Sequence, residues 1–105
     1  MISAEFIRTN GKFTGFRFSG HSGYAEAGED VACAAVSSAV QLIVNLLDEF
    51  DCEPQVSTDM TDNAVICRAT ASENTASAMI EQLRLHLEAV LEEYPETINI
   101  TISEV

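Results

Sequence analysis

Residues 74–94 and the short run behind them constrain this chain most. Ala76, Met79, Ile80, Leu83, Leu87, Val90, Leu91 and Tyr94 recur at three- and four-residue steps and fall on one stripe of a helix spanning about Asn74 to Tyr94. Pro95 ends that helix. Just beyond it, Thr97-Ile98-Asn99-Ile100-Thr101-Ile102 alternates with period two, as a strand with one buried face does. A helix with one apolar stripe and a strand with one apolar face each require a covering layer, so the chain must build a packed core. Hydrophobic residues at 47%, with two prolines and five glycines, likewise exclude disorder and collagen-like structure.

The rest of the chain reads in the same terms. Residues 2–9 form a strand pattern, Asn10-Gly11 is a hairpin signal, and residues 13–19 form a second strand. Phe13, Phe16 and Phe18 do not share parity, so Gly15 is expected to mark a bulge or a close backbone approach. A glycine-rich loop covers residues 20–29, and a helix is expected from about Asp30 to Phe50. Its apolar stretch Val31 to Leu47 is interrupted by Ser37, Ser38, Gln41 and Asn45. A membrane span would need about 20 predominantly apolar residues, so this segment reads as a buried helix of a soluble protein. Residues 54–59 and 63–70 read as a second hairpin around Thr61-Asp62-Asn63. The predicted order is ββαββαβ, an α+β fold with two helices on a mainly antiparallel sheet. At 105 residues the chain fits one domain, residues 1–105.

Charge and cysteine usage narrow the chemistry. Seventeen Asp and Glu against five Lys and Arg give a net charge of −12, which repels phosphate backbones and disfavours nucleic-acid binding; it suits either a basic protein or peptide partner or a role in solubility alone. The start Met1-Ile2-Ser3-Ala4-Glu5 has no basic segment followed by an apolar one, so no secretory signal is expected. Cys33, Cys52 and Cys67 are odd in number and widely spaced, which predicts free thiols in a reducing compartment. With His21 and His86 as the only histidines and no Cys-x-x-Cys pair, no metal site is expected. The glycine spacing matches neither a dinucleotide fingerprint nor a phosphate loop. A phosphatase would want an arginine near Ala39, six residues after Cys33.

One segment concentrates reactive chemistry. His21 is expected at a strand end and Cys33 in the first turn of the next helix. There the helix N-terminus would favour a thiolate, and an imidazole within reach would take the thiol proton and return it to a leaving amine. Asp30 reads as the N-cap, with orientation of His21 as its functional alternative. Ser37, four residues beyond Cys33, shares its helical face. Gly20, Gly23 and Gly28 would let the loop close on a peptide, and Tyr24 would anchor the loop or line a groove. Cys52 and Cys67 read as structural, and His86 as an edge residue of the second helix.

The run Gly20-His21-Ser22-Gly23-Tyr24-Ala25, followed by Gly28-Glu29-Asp30-Val31-Ala32-Cys33-Ala34-Ala35-Val36-Ser37, resembles the signature of the bacterial ribosomal-processing cysteine proteases of the Prp type. The resemblance extends over essentially the whole chain. It implies a cytoplasmic endopeptidase, usually a homodimer, that needs no cofactor and removes the N-terminal extension of a large-subunit ribosomal protein. It also implies His21 as general base, Cys33 as nucleophile, and Asp30 and Ser37 in support. Ser22 stands where the family often has Ala, and Ala32 where it often has a larger aliphatic residue. Backbone amides at the helix start, that of Cys33 among them, are expected to hold the oxyanion. A reading from another class is a non-catalytic acidic module that binds a basic ribosomal protein or assembly intermediate. Selective reactivity of Cys33 over the other two thiols separates the two readings.

Overall fold

The computed structural model describes residues 1–20 and 27–105, the side chains of residues 27–30 excepted. Its elements are β1 (Ile2–Thr9), β2 (Lys12–Ser19), α1 (Ala27–Glu49), β3 (Pro54–Asp59), β4 (Ala64–Ala69), α2 (Glu73–Glu93) and β5 (Ile98–Glu104). The strands form one five-stranded sheet in the order β3-β4-β2-β1-β5. All neighbours are antiparallel except β1 and β5, which run parallel. The expected α+β order and mainly antiparallel sheet are therefore present.

The parity break among the phenylalanines has a concrete cause. Ile7 pairs with Gly15 but Arg8 with Phe13, so Thr14 is the extra residue of a bulge. The bulge returns Phe13 to the face that carries Phe16 and Phe18, and all three are buried with Phe6. Their rings meet edge-on, Phe6–Phe18 at 5.9 Å and Phe16–Phe18 at 5.3 Å between centroids, an arrangement worth about 0.5–1.5 kcal/mol per pair beyond burial. The Phe13 amide donates to Ser77 Oγ at 2.9 Å, which ties the bulge to α2. Gly15 also meets the second expectation, close approach. A Cβ there would lie 2.5 Å from the Cys67 carbonyl oxygen on β4.

Both helices cover the face of the sheet that carries Phe6, Phe16 and Cys67. From α2, Ala76, Ile80, Leu83 and Leu87 are buried, while Met79, Val90, Leu91 and Tyr94 pack against the core edge, so the whole predicted stripe faces inward. From α1, Ala32, Val36, Ile43 and Leu47 enter the same core. Among the described residues, α1 is the one helix long and apolar enough to cross a membrane by length and composition.

Three expectations at the start of α1 need correction. The helix begins at Ala27, so Gly28 belongs to α1 rather than to a loop, and Asp30 sits inside the first turn rather than at the N-cap. An acidic residue in the first turn still complements the helix dipole, so composition there suits either start. Counted from Ala27, Cys33 falls in the second turn, about 9 Å along the axis.

Candidate active site

Gly20 closes β2 with a φ of +96°, and a Cβ there would lie 2.4 Å from the Met1 carbonyl oxygen. A glycine is therefore required where the chain leaving β2 lies against Met1 and Ile2 at the start of β1, its antiparallel neighbour, independently of any ligand. His21, Ser22, Gly23, Tyr24 and Glu26 lie outside the described residues. The expected meeting of His21 with Cys33 and the loop roles of Gly23 and Tyr24 fall there too.

Cys33 sits on α1 at the margin of the core. It is half-buried and packs against the cluster that holds Ala32 and Val36, whereas Cys52 and Cys67 are wholly buried. Burial pushes the Cys67 thiol up to about 11. Burial first, and then the Asp51 carboxylate, also raises that of Cys52, whose Sγ donates to the Phe50 carbonyl at 3.7 Å. Both are poor thiolates for a stated reason, which matches their structural reading. Ala32, the departure from the family pattern, is fully buried, so the smaller side chain acts on packing beneath Cys33.

The second-turn position of Cys33 changes two electrostatic expectations. The dipole effect of a helix N-terminus fades within the first turn, so it acts less on this sulfur than a first-turn placement would allow. In an α-helix running from Ala27, the amide of Cys33 points to the carbonyl of Glu29. It is engaged within the helix and is not free to hold an oxyanion, which corrects that assignment.

Ser37 lies one turn beyond Cys33 on the same side and is exposed. It opens onto a groove of about 320 Å³ between α1 and the sheet, lined by Phe18, Val36, Val40, Val44, Val56 and Val65 with Gln41 at its margin. The groove was not anticipated from the sequence, although Val36, Val40 and Val44 at four-residue steps are a detectable second stripe. It can seat apolar side chains of an extended peptide, and its nearest point to Cys33 along α1 is the turn that carries Val36 and Ser37. His86 is exposed on α2 and faces α1, away from that groove. Among the described residues, no three His, Cys, Asp or Glu side chains converge as metal ligands.

The profile of the cysteine protease Prp family matches residues 1–99. This chain belongs to that family. The ribosomal processing protease Prp from S. aureus, solved with a substrate peptide, superimposes with a TM-score of 0.86 at 23% identity, over 98% of this chain and 100% of that one. The same protease with a covalently linked product peptide gives 0.82 at 24% identity, over the same shares. SMU.848 from Streptococcus mutans gives 0.83 at 28% identity, over 100% of this chain and 96% of that one. No curated protein sequence matches the chain. Family membership makes the chain a cysteine peptidase and supports the enzyme reading over the acidic binding module.

Proposed function

We propose that this chain is a cytoplasmic endopeptidase that uses a His21/Cys33 dyad to remove the N-terminal extension of a large-subunit ribosomal protein, and that it works as a homodimer. The observation that carries the reading is the family match over residues 1–99, which spans Cys33, the one thiol of the three that is not fully buried. His21 takes the Cys33 proton, and the sulfur attacks the scissile carbonyl carbon. The tetrahedral intermediate collapses to a thioester as His21 gives its proton to the leaving amine. Water, deprotonated by His21, then attacks the thioester, releases the acid product and restores the thiol. The groove beside Ser37 supports a peptide substrate, because it offers apolar walls that begin one helical turn from Cys33. The net charge of −12 suits a basic ribosomal protein.

The dyad is tested by His21→Ala. Loss of the imidazole should abolish turnover of a peptide that copies the extension, and should move the pH midpoint of Cys33 alkylation upward toward that of an ordinary thiol. An alkylation profile superimposable on the parent's would show that the two residues are not a pair.

A further inference from the structure

The chain's few cations are unevenly placed. Three of its five basic residues, Arg8, Lys12 and Arg84, line one pocket of about 440 Å³. Among the described residues, Glu81 is the one acidic side chain in that lining. The lining thus carries three positive charges against one negative, in a chain of net charge −12. The pocket lies between the turn joining β1 to β2, the N-terminal part of α2 and the end of β5. Phe13 and Ile102 give it an apolar wall, and Asn74 and Ser77 line it from α2.

We propose that this pocket binds the phosphate group of a small organic molecule. Its cations keep hydrogen-bond donors to spare. Arg84 gives Nε and Nη2 to Glu81 at 2.9 and 2.6 Å, but its Nη1 stands 3.7 Å from Glu88, beyond a hydrogen bond. Arg8 meets Glu104 through Nε, which leaves both Nη groups to other acceptors, and its guanidinium lies over the Phe13 ring at 5.5 Å. Lys12 Nζ spends one of its three hydrogens on Glu73 at 3.1 Å. Ser77 Oγ accepts the Phe13 amide at 2.9 Å, so its own hydrogen is left to donate. The paired carboxylates therefore aim the cations without using them up. Glu73, Glu88 and Glu104 are at least half exposed, and such exposed pairs hold weakly, so a ligand can displace them. A phosphate suits these donors better than a carboxylate, because its three terminal oxygens and near-double charge engage several cations at once. Phe13 and Ile102 accept an apolar body, and the volume is that of a small-ligand site. A nucleic-acid strand, repelled along its length by the acidic remainder of the surface, does not fit the same description. Among the described residues, none of α1 lines the pocket, so the inference uses none of the peptidase chemistry.

NMR of the full chain, titrated with phenyl phosphate at constant ionic strength, tests the site. Saturable shifts should centre on the amides of Lys12, Phe13, Asn74 and Ser77 and on the Arg84 side chain, with a millimolar or tighter dissociation constant. Lys12→Gln and Arg8→Gln should each raise that constant about tenfold. Arg68→Gln, the same change of charge at an exposed position outside the pocket, should leave it unaltered. Benzoate, which keeps the ring but offers a carboxylate, should bind at least about fivefold more weakly than phenyl phosphate. Inorganic phosphate, which lacks the ring, should also bind more weakly. No saturation by tens of millimolar, shifts scattered over the surface, or equal losses in Arg68→Gln and Lys12→Gln would each overturn the proposal. Benzoate matching phenyl phosphate would overturn the assignment to phosphate, and inorganic phosphate matching it would overturn the organic body. Should Arg8→Gln fail to fold, Lys12→Gln carries the test, because the Lys12 side chain is 40% exposed. Peptide cleavage, read separately, bears on the peptidase reading alone.

Discussion

Alkylation of the folded protein should rank its three thiols, and the margin can be worked out from their surroundings. Only the thiolate reacts. With its pKa raised to about 11 by burial, Cys67 is about one part in 3,000 ionised at pH 7.5, against about one part in ten for an ordinary thiol near 8.5. Ionisation alone therefore slows Cys67 about 300-fold, and its complete burial slows it further. Cys52 is wholly buried with its thiol raised as well. Cys33 is half-buried at the surface of α1, and pairing with His21 would widen its lead. The assay is a short iodoacetamide pulse, followed by unfolding, isotope-labelled reagent for the remaining thiols, and peptide mass spectrometry. Cys33 should label at least about 300-fold faster than Cys67 at pH 7.5. The gap should narrow as pH approaches 11, and all three thiols should label alike in denaturant. Native labelling of Cys67 or Cys52 within tenfold of Cys33 would refute the reasoning.

Two further outcomes are expected, one from the packing of the sheet and one from the net charge of the chain. Gly15→Ala places a Cβ 2.5 Å from the Cys67 carbonyl oxygen, so stability should fall by about 2 kcal/mol or more. The Tm should fall by roughly 8 °C or more, whereas Gly11→Ala, with nothing within 4 Å, should cost only about 1 kcal/mol for its positive φ; equal Tm losses would contradict the packing argument. The specificity constant for a lysine-containing peptide should fall as salt screens exposed charge over about 8–10 Å, and a Glu26→Gln, Glu29→Gln variant should show a shallower slope with unchanged turnover at saturation. Superimposable salt curves would remove electrostatic recruitment.

Most of the fold could be read from the sequence because its elements are periodic. Each stripe residue from Ala76 to Tyr94 lies inward or at the core edge, and the broken parity of Phe13, Phe16 and Phe18 correctly marked the bulge. The pairing of β1 with β5 was not legible, since it joins opposite ends of the chain and no local pattern encodes a partner. The start of α1 was misread because Asp30 is a good N-cap and Gly28 a good loop residue, yet the helix carries both. At the site, a half-buried Cys33 beside exposed Ser37 agrees with the spacing, while the groove from Phe18 to Val65 depends on how β2, β3 and β4 lie under α1. That placement is tertiary, and spacing along the chain cannot supply it.

The central claim is that Cys33 is the nucleophile of a peptidase. It is tested most directly by turnover of a peptide copying the ribosomal-protein extension, measured by chromatography for the parent and for Cys33→Ala. The helix already carries Ala32, Ala34 and Ala35 around that position, so the variant should fold and still bind the peptide. The account predicts cleavage at a single bond by the parent and none by the variant. Equal cleavage by the two proteins would contradict it.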